Sequence, residues 1–352
     1  MAFGDKVTLE PVDFYDRLRA DYPQAEIVLC STAGEIFDDS VHEGSVSVTA
    51  VQFEKTQVRS AMVNIADFDG SSYRAGKALI ENLMAFEALS YVLILSDGSR
   101  VNGSELVKGV NSQIQENVPV TGGLAGDGAA FKSTLVGLNA RPLDGQIVAI
   151  GMYGSDLQVS HGSMGGWESF GPERKITRSM GNQLFMIDDE SALDLYKKYL
   201  GAYANELPGS ALLFPLMVRL SSEEAPVVRT ILSIDEESRS MFFAGDVPEG
   251  ASVRFMKANF DRLIDAAGSA ANHTISGQTS SQPSLSLLIS CVGRKIILGN
   301  RVSEEVEAVK EIFGSKTLLT GFYSYGEIAP PLPRAQCQLH NQTMTITNIS
   351  ER

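Results

Sequence analysis

Three short segments place an acidic residue beside glycine just after an apolar run: Cys30-Ser31-Thr32-Ala33-Gly34-Glu35, Gly122-Gly123-Leu124-Ala125-Gly126-Asp127 and Tyr325-Gly326-Glu327. Glycine lets a ligand approach the main chain closely, and a carboxylate accepts from an amine or hydroxyl. Two arginines stand at matching points, in Ser96-Asp97-Gly98-Ser99-Arg100 and Cys291-Val292-Gly293-Arg294, and offer the cation a ligand carboxylate needs. An amino-acid-like ligand would set its ammonium on Asp127 or Glu327 and its carboxylate on Arg100 or Arg294. Each motif alone reads equally well as a tight turn whose acid caps a helix. The threefold recurrence favours a site, with Asp97, Arg100, Gly122, Gly123, Asp127, Arg294, Tyr325 and Glu327 as candidates. Trp167 follows Gly165-Gly166 and either floors an apolar pocket or belongs to the core.

Catalytic patterns fare less well. In Gly126–Ser133, Phe131 stands where a phosphate loop of the GxxxxGK[ST] type needs its second glycine. Gly321–Gly326 is one residue too long for a GxSxG elbow. Cys30 and Cys291 end apolar runs, where a thiolate nucleophile can sit, although a buried cysteine there is more often simple packing. An enzyme using either cysteine stands as an alternative to a binding protein. His42, His161, His273 and His340 fall in no metal-ligand spacing.

The elements that position these residues alternate. Ala75, Leu79, Leu83 and Phe86 share a helical face ahead of the buried strand Tyr91–Leu95, and a helix through Leu106, Val110 and Ile114 leads to the strand Val118–Thr121. Thr134–Ala140 with Gln146–Gly151, Lys175–Ser179 with Gln183–Ile187, and Val227–Ile234 with Ser240–Ala244 read as hairpins. A helix through Ala192 and Leu200 stops at Gly201, and the polar stretch Gly201–Gly209 is the expected domain boundary. Further on, a helix through Phe260 and Ala267 is stopped by Gly268, Ala270–Pro283 reads as a loose loop, Leu285–Cys291 as a buried strand, and Ser303 as the cap of a helix ending near Phe313. Strand, turn and helix in Ser90–Asp127 recur in Ser286–Glu327. The fold class is α/β, with mixed sheets and helices, two lobes and internally repeated strand–helix–strand units.

At 352 residues the chain is long enough for two domains, and its 43% hydrophobic and 20% charged content is that of a globular protein. The net charge of -14 repels phosphate backbones and anionic lipid, which argues against nucleic-acid or membrane-surface partners. Three cysteines with no CxxC pair, no signal-peptide core and no apolar run approaching a bilayer span fit a cytoplasmic protein.

The segments Cys30–Ile36, Gly122–Gly128, Gly165-Gly166-Trp167 with Phe170-Gly171-Pro172, Cys291–Arg294, Gly321–Ile328 and Leu339-His340-Asn341-Gln342-Thr343 resemble, in order and across nearly the whole chain, proteins of the FIST family. The resemblance implies a FIST N-terminal domain over 1–205 and a FIST C-terminal domain over 206–352. It further implies an intracellular sensory protein that is not an enzyme, binds small ligands with amino acids suggested, and works with a separate histidine kinase or cyclic-dinucleotide enzyme. No cofactor is expected. One branch of the family implies an alternative, a haem-based nitric-oxide sensor in which His161 or His340 ligates the iron, against the ordinary reading of each as a structural histidine. Met1–Leu9 gives only a weak version of the family's first strand, as a shortened start would.

Overall fold

A computed structural model describes residues 1–219, 225–275, 283–332 and 334–352. Two mixed sheets form its centre. In the first half the strands are β1 (Val28–Ser31), β2 (Glu35–Phe37), β3 (Gln57–Asn64), β4 (Leu89–Ser96), β5 (Val120–Leu124), β6 (Gln146–Tyr153) and β7 (Leu157–Met164), with helices α1 (Ser72–Met84) and α2 (Gly103–Asn111). The second half contributes α3 (Phe260–Ile275), β8 (Leu285–Cys291), α4 (Val292–Leu298), α5 (Val302–Phe313), β9 (Leu318–Ser324), β10 (Gly326–Ala329) and β11 (Met344–Glu351).

One sheet runs β10-β5-β4-β6-β3 and the other β2-β9-β8-β11-β7, each with a short extra strand beyond its first member. The two share one plan. The strand pairs β4/β5 and β8/β9 are parallel, and the remaining neighbours are antiparallel. β2, from the first half, pairs with β9, while β10, from the second half, pairs with β5. The halves therefore exchange one strand each.

The sequence dictates the layering. β4 from Tyr91 onward and β8 throughout are buried on both faces, so each sheet must be covered twice. Tyr91, Leu93 and Leu95 of β4 meet Leu285, Leu287 and Ile289 of β8 between the sheets. On the outer faces, Val92 and Ile94 pack under the Ala75, Leu79 and Leu83 stripe of α1, and Leu288 packs with Val306 and Val309 of α5. Ser71 and Asn102 start α1 and α2 by accepting from the N–H groups of Arg74 and Glu105. Gly122 and Gly321 mark the same place in the two copies: a β-carbon there would lie 1.9 Å from the Ile94 carbonyl oxygen and 1.8 Å from that of Leu288.

A third body interrupts the second copy. Between β7 and α3 lies an antiparallel sheet whose order is Val227–Arg229, Leu216–Arg219, Ser252–Lys257, Glu168–Met180, Gln183–Ile187, Ser240–Phe243, Ile231–Asp235. It encloses its own core of Ile176, Leu184, Tyr196, Met241, Phe243 and Phe255. The first copy has at this point only the short turn Ile65–Phe68. The architecture is thus α/β and two-lobed, as the composition of elements implied.

Several local expectations are corrected. Thr134–Ala140 and Gln146–Gly151 form no hairpin, because Val136–Leu138 pairs with β1 while β6 enters between β3 and β4. Val227–Ile234 divides at Thr230, and only Ile231–Asp235 pairs with Ser240–Phe243. The expected hairpin of Lys175–Ser179 with Gln183–Ile187 forms, its first arm being part of a longer strand, Glu168–Met180. Gly268 does not stop α3: it faces Ile312 and Ala308 of α5 and the helix continues to Ile275, so Ala270–Ile275 is helical and the rest of that expected loop, 276–282, lies outside the described residues. α5 begins at Val302 behind Arg301, without a Ser303 cap, because the turn Gly299–Arg301 feeds it directly. Gly201–Gly209 lies inside the inserted lobe, where Ala204 and Leu207 pack on its core. Met1–Leu9 does contain a strand, Ala2–Gly4, parallel to β1.

Candidate functional site

The carboxyl ends of β4 and β5 and the amino end of α2 converge on one cleft, as such ends do in open α/β sheets. Asp97, fully buried, shapes its floor: Oδ1 accepts from the N–H groups of Ser99 (2.7 Å) and Arg100 (2.6 Å), and Oδ2 accepts from Gly145 N–H at 2.9 Å. Arg100 itself points outward, 59% exposed, and pairs with Asp144 at 2.6 Å.

Tyr325, the residue between β9 and β10, anchors the facing wall. Its hydroxyl donates to the Asp127 carboxylate and accepts from the N–H groups of Asp127 and Phe131, both at 3.1 Å. The other oxygen of Asp127 accepts from Lys132 and Ser133 N–H at 3.0 and 2.9 Å. This wraps loop 127–133 around the phenol and lays the Phe131 ring on that of Tyr325, with centroids 4.6 Å apart and planes 18° apart. Burial is the main cause that raises the Tyr325 pKa, with the bond to Asp127 next, so the phenol stays protonated.

The inserted lobe forms the roof with Leu232, Phe243, Ala244 and Gly245, closing a space of about 270 Å³. A latch ties roof to wall. Asp246 accepts from Asn102 Nδ2 (3.2 Å) and Lys108 Nζ (3.0 Å), its N–H donates to Ser104 Oγ (3.2 Å), and Arg229 reaches from the lobe to the Leu339 carbonyl at 2.8 Å.

The candidates named from sequence thus divide. Of these only Tyr325 lines the cleft; Asp97 and Asp127 hold the loops behind its lining, Arg100 points away, and Trp167, Arg294, Glu327 and His340 do not line it. Arg294 is fully buried and engaged throughout, with Glu305 (2.8 Å), the Gly165 carbonyl (2.7 Å) and the Leu263 carbonyl (2.7 Å), so its guanidinium braces the fold. Trp167 donates to the Gln342 carbonyl at 2.9 Å and packs near Leu263 and Leu298. Gly122 and Gly123 lie within β5, where Gly123 faces Ile289 and Phe322 between the sheets. Asp127 is no third copy of the glycine–acid turn, since its carboxylate organises its own loop.

Glu327 is buried and accepts from Ser324 Oγ at 2.7 Å, Thr343 N–H at 3.2 Å and Thr343 Oγ1 at 2.9 Å. Burial dominates and pushes its pKa up to about 8. His340 meets the Ala329 carbonyl through Nε2 at 3.0 Å, and burial lowers its pKa to about 4. That ring nitrogen is engaged, and neither His340 nor His161 lines the cleft, so the residues present do not fit a haem ligated at this site. Cys30 and Cys291 are buried, and burial raises both thiol pKa values far above neutrality, with the Asp97 and Glu327 charges next in order.

Sequence reasoning passed over Phe131 as a site residue, and with it the whole roof. Phe131 was legible as a lone large aromatic in the polar loop Gly126–Ser133. The roof residues lie over a hundred positions further on, and no local pattern links them to the wall.

Among the described residues no helix is long and apolar enough to cross a membrane. A search of curated proteins found no match. Family models match at two places, the FIST N domain over residues 1–190 and the FIST C domain over residues 192–330. These domains are associated with sensory signal transduction. With both matched in order over most of its length, the chain belongs to the FIST family.

Proposed function

We propose that the chain is a cytoplasmic sensor that binds a small molecule in the cleft between Tyr325, the α2 start and the inserted lobe, and signals by a change in the lobe's position. The observation that carries this reading is the placement of the cleft: its floor is the strand-end crevice of an α/β sheet and its roof belongs to a separately cored body. A ligand touching both surfaces favours one lobe angle over others, which is all that coupling requires. A separate signalling protein, a histidine kinase or a cyclic-dinucleotide enzyme, reads the lobe. Asp97, Asp127 and Tyr325 act as organisers of the cleft, and the protein acts by binding and not by turnover.

The test is a thermal-shift screen of amino acids and other small metabolites against wild type and Ala244→Trp, which fills the roof. Ligands that stabilise wild type and not the variant support the cleft. Ligands that stabilise both equally place the site elsewhere and defeat the reading.

A further inference from the structure

Resting on that reading of the cleft, the chemistry of its lining narrows what it accepts. Two aromatic rings, Phe131 and Tyr325, face the space, together with Leu124, Val101 and Leu232, while the Phe243 side chain is fully buried in the core of the lobe. None of the described residues that line it carries a formal charge; polar side chains come from Asn102, Asn182 and Ser99. Phe131 is the unusual member. It is 45% exposed and its φ is +53°, a left-handed conformation that bulky residues seldom occupy. Its own N–H is fixed to the Tyr325 hydroxyl and one face of its ring rests on Tyr325, so the ring is held as a rigid shelf. A large aromatic kept exposed at a conformational cost, beside an uncharged cavity, is an arrangement that observed strain links to function.

We infer that the cleft takes an uncharged small molecule built on a flat ring, which lies against Phe131 and beneath the roof segment Ala244-Gly245. Such a ligand gains aromatic contact on preorganised surfaces, while a charged one would lose hydration with no countercharge in the lining.

Calorimetric titration with three probes tests this: 2-quinolinone, flat and neutral; quinoline-2-carboxylate, flat and anionic; and cyclohexanecarboxamide, neutral and saturated. Saturable 2-quinolinone binding, at least about 10-fold tighter than either comparator, is expected, with about a 10-fold loss in Phe131→Ala and near-retention in Phe131→Tyr. Equal binding of all three, or none by 2-quinolinone, overturns the inference. Loss of binding in Ala244→Trp without loss in Phe131→Ala overturns the flat-ring assignment and leaves the cleft standing. Binding indifferent to both substitutions overturns both.

Discussion

Glu35 and Glu327 occupy the same cage in the two copies of one turn. Thr32 Oγ1 donates to Glu35 Oε1 at 2.6 Å as Ser324 Oγ does to Glu327 Oε1 at 2.7 Å. Ser45 N–H and Oγ then meet Glu35 Oε2 at 3.3 and 2.7 Å as Thr343 N–H and Oγ1 meet Glu327 Oε2. Each carboxyl starts the exchanged strand, β2 or β10, so the cage fixes where the chain crosses from one sheet to the other.

Glu327→Ala is therefore a folding lesion. It strips the acceptor from the buried Thr343 N–H, and each stranded donor costs about 1–3 kcal/mol. Glu327→Gln, which keeps one carbonyl oxygen for Thr343, should cost clearly less. Urea unfolding of both variants checks the order; equal losses would contradict the cage.

The raised pKa of Glu327 has a defined pH signature. With a folded value of about 8 against an unfolded value near 4.5, its contribution to stability is full below the unfolded value. It falls as pH rises towards and through 8. Wild-type stability followed from pH 5 to 9 should show this decline, and Glu327→Gln should flatten it.

Asp246→Ala should loosen the lobe without unfolding it. The carboxylate contacts are partly exposed, so a loss of about 1 kcal/mol is expected. The telling readout is amide exchange, faster at 98–104 and 227–247 and unchanged in β4 and β8.

All three thiols should resist a thiol reagent in the native protein, since burial suppresses the thiolates of Cys30 and Cys291 and pushes the Cys337 thiol up to about 12. Labelling should proceed at the rate of opening and become complete in denaturant. Fast labelling of Cys30 or Cys291 at neutral pH would favour the enzymatic alternative.

Gly122→Ala and Gly321→Ala should both destabilise severely, by about 3 kcal/mol or more, because the added methyl collides with a strand carbonyl that cannot withdraw from its sheet. Thermal melts of the pair should move alike.

The repeat was legible because β4 and β8 are both predominantly apolar and the Gly-Glu-Ile endings of the two turns are the same. Its alignment was not. Asp127 also follows glycine after a strand, and chain order alone cannot distinguish an acid that caps its own loop from one that opens an exchanged strand. Arg294 misled for a related reason: beside Gly293 it has the composition of a binding loop, and only Glu305, eleven residues on and one turn into α5, shows that its charge is already matched. The hairpin wrongly expected of Thr134–Ala140 with Gln146–Gly151 illustrates the same limit, since alternation marks a strand but leaves its partner to be chosen by distant segments.

The exchanged strands also set a timetable for the nascent chain. Ile36 pairs with Gly321, so β2 emerges from the ribosome about 280 residues before its partner exists, a wait of roughly 15–60 s at ordinary elongation rates of about 5–20 residues per second. Through that interval the first sheet lacks β10, and the edge of β5 stays open to pairing with any other strand. Synthesis of this molecule thus has a vulnerable period whose length is written into its topology, and holding chaperones would act on it there.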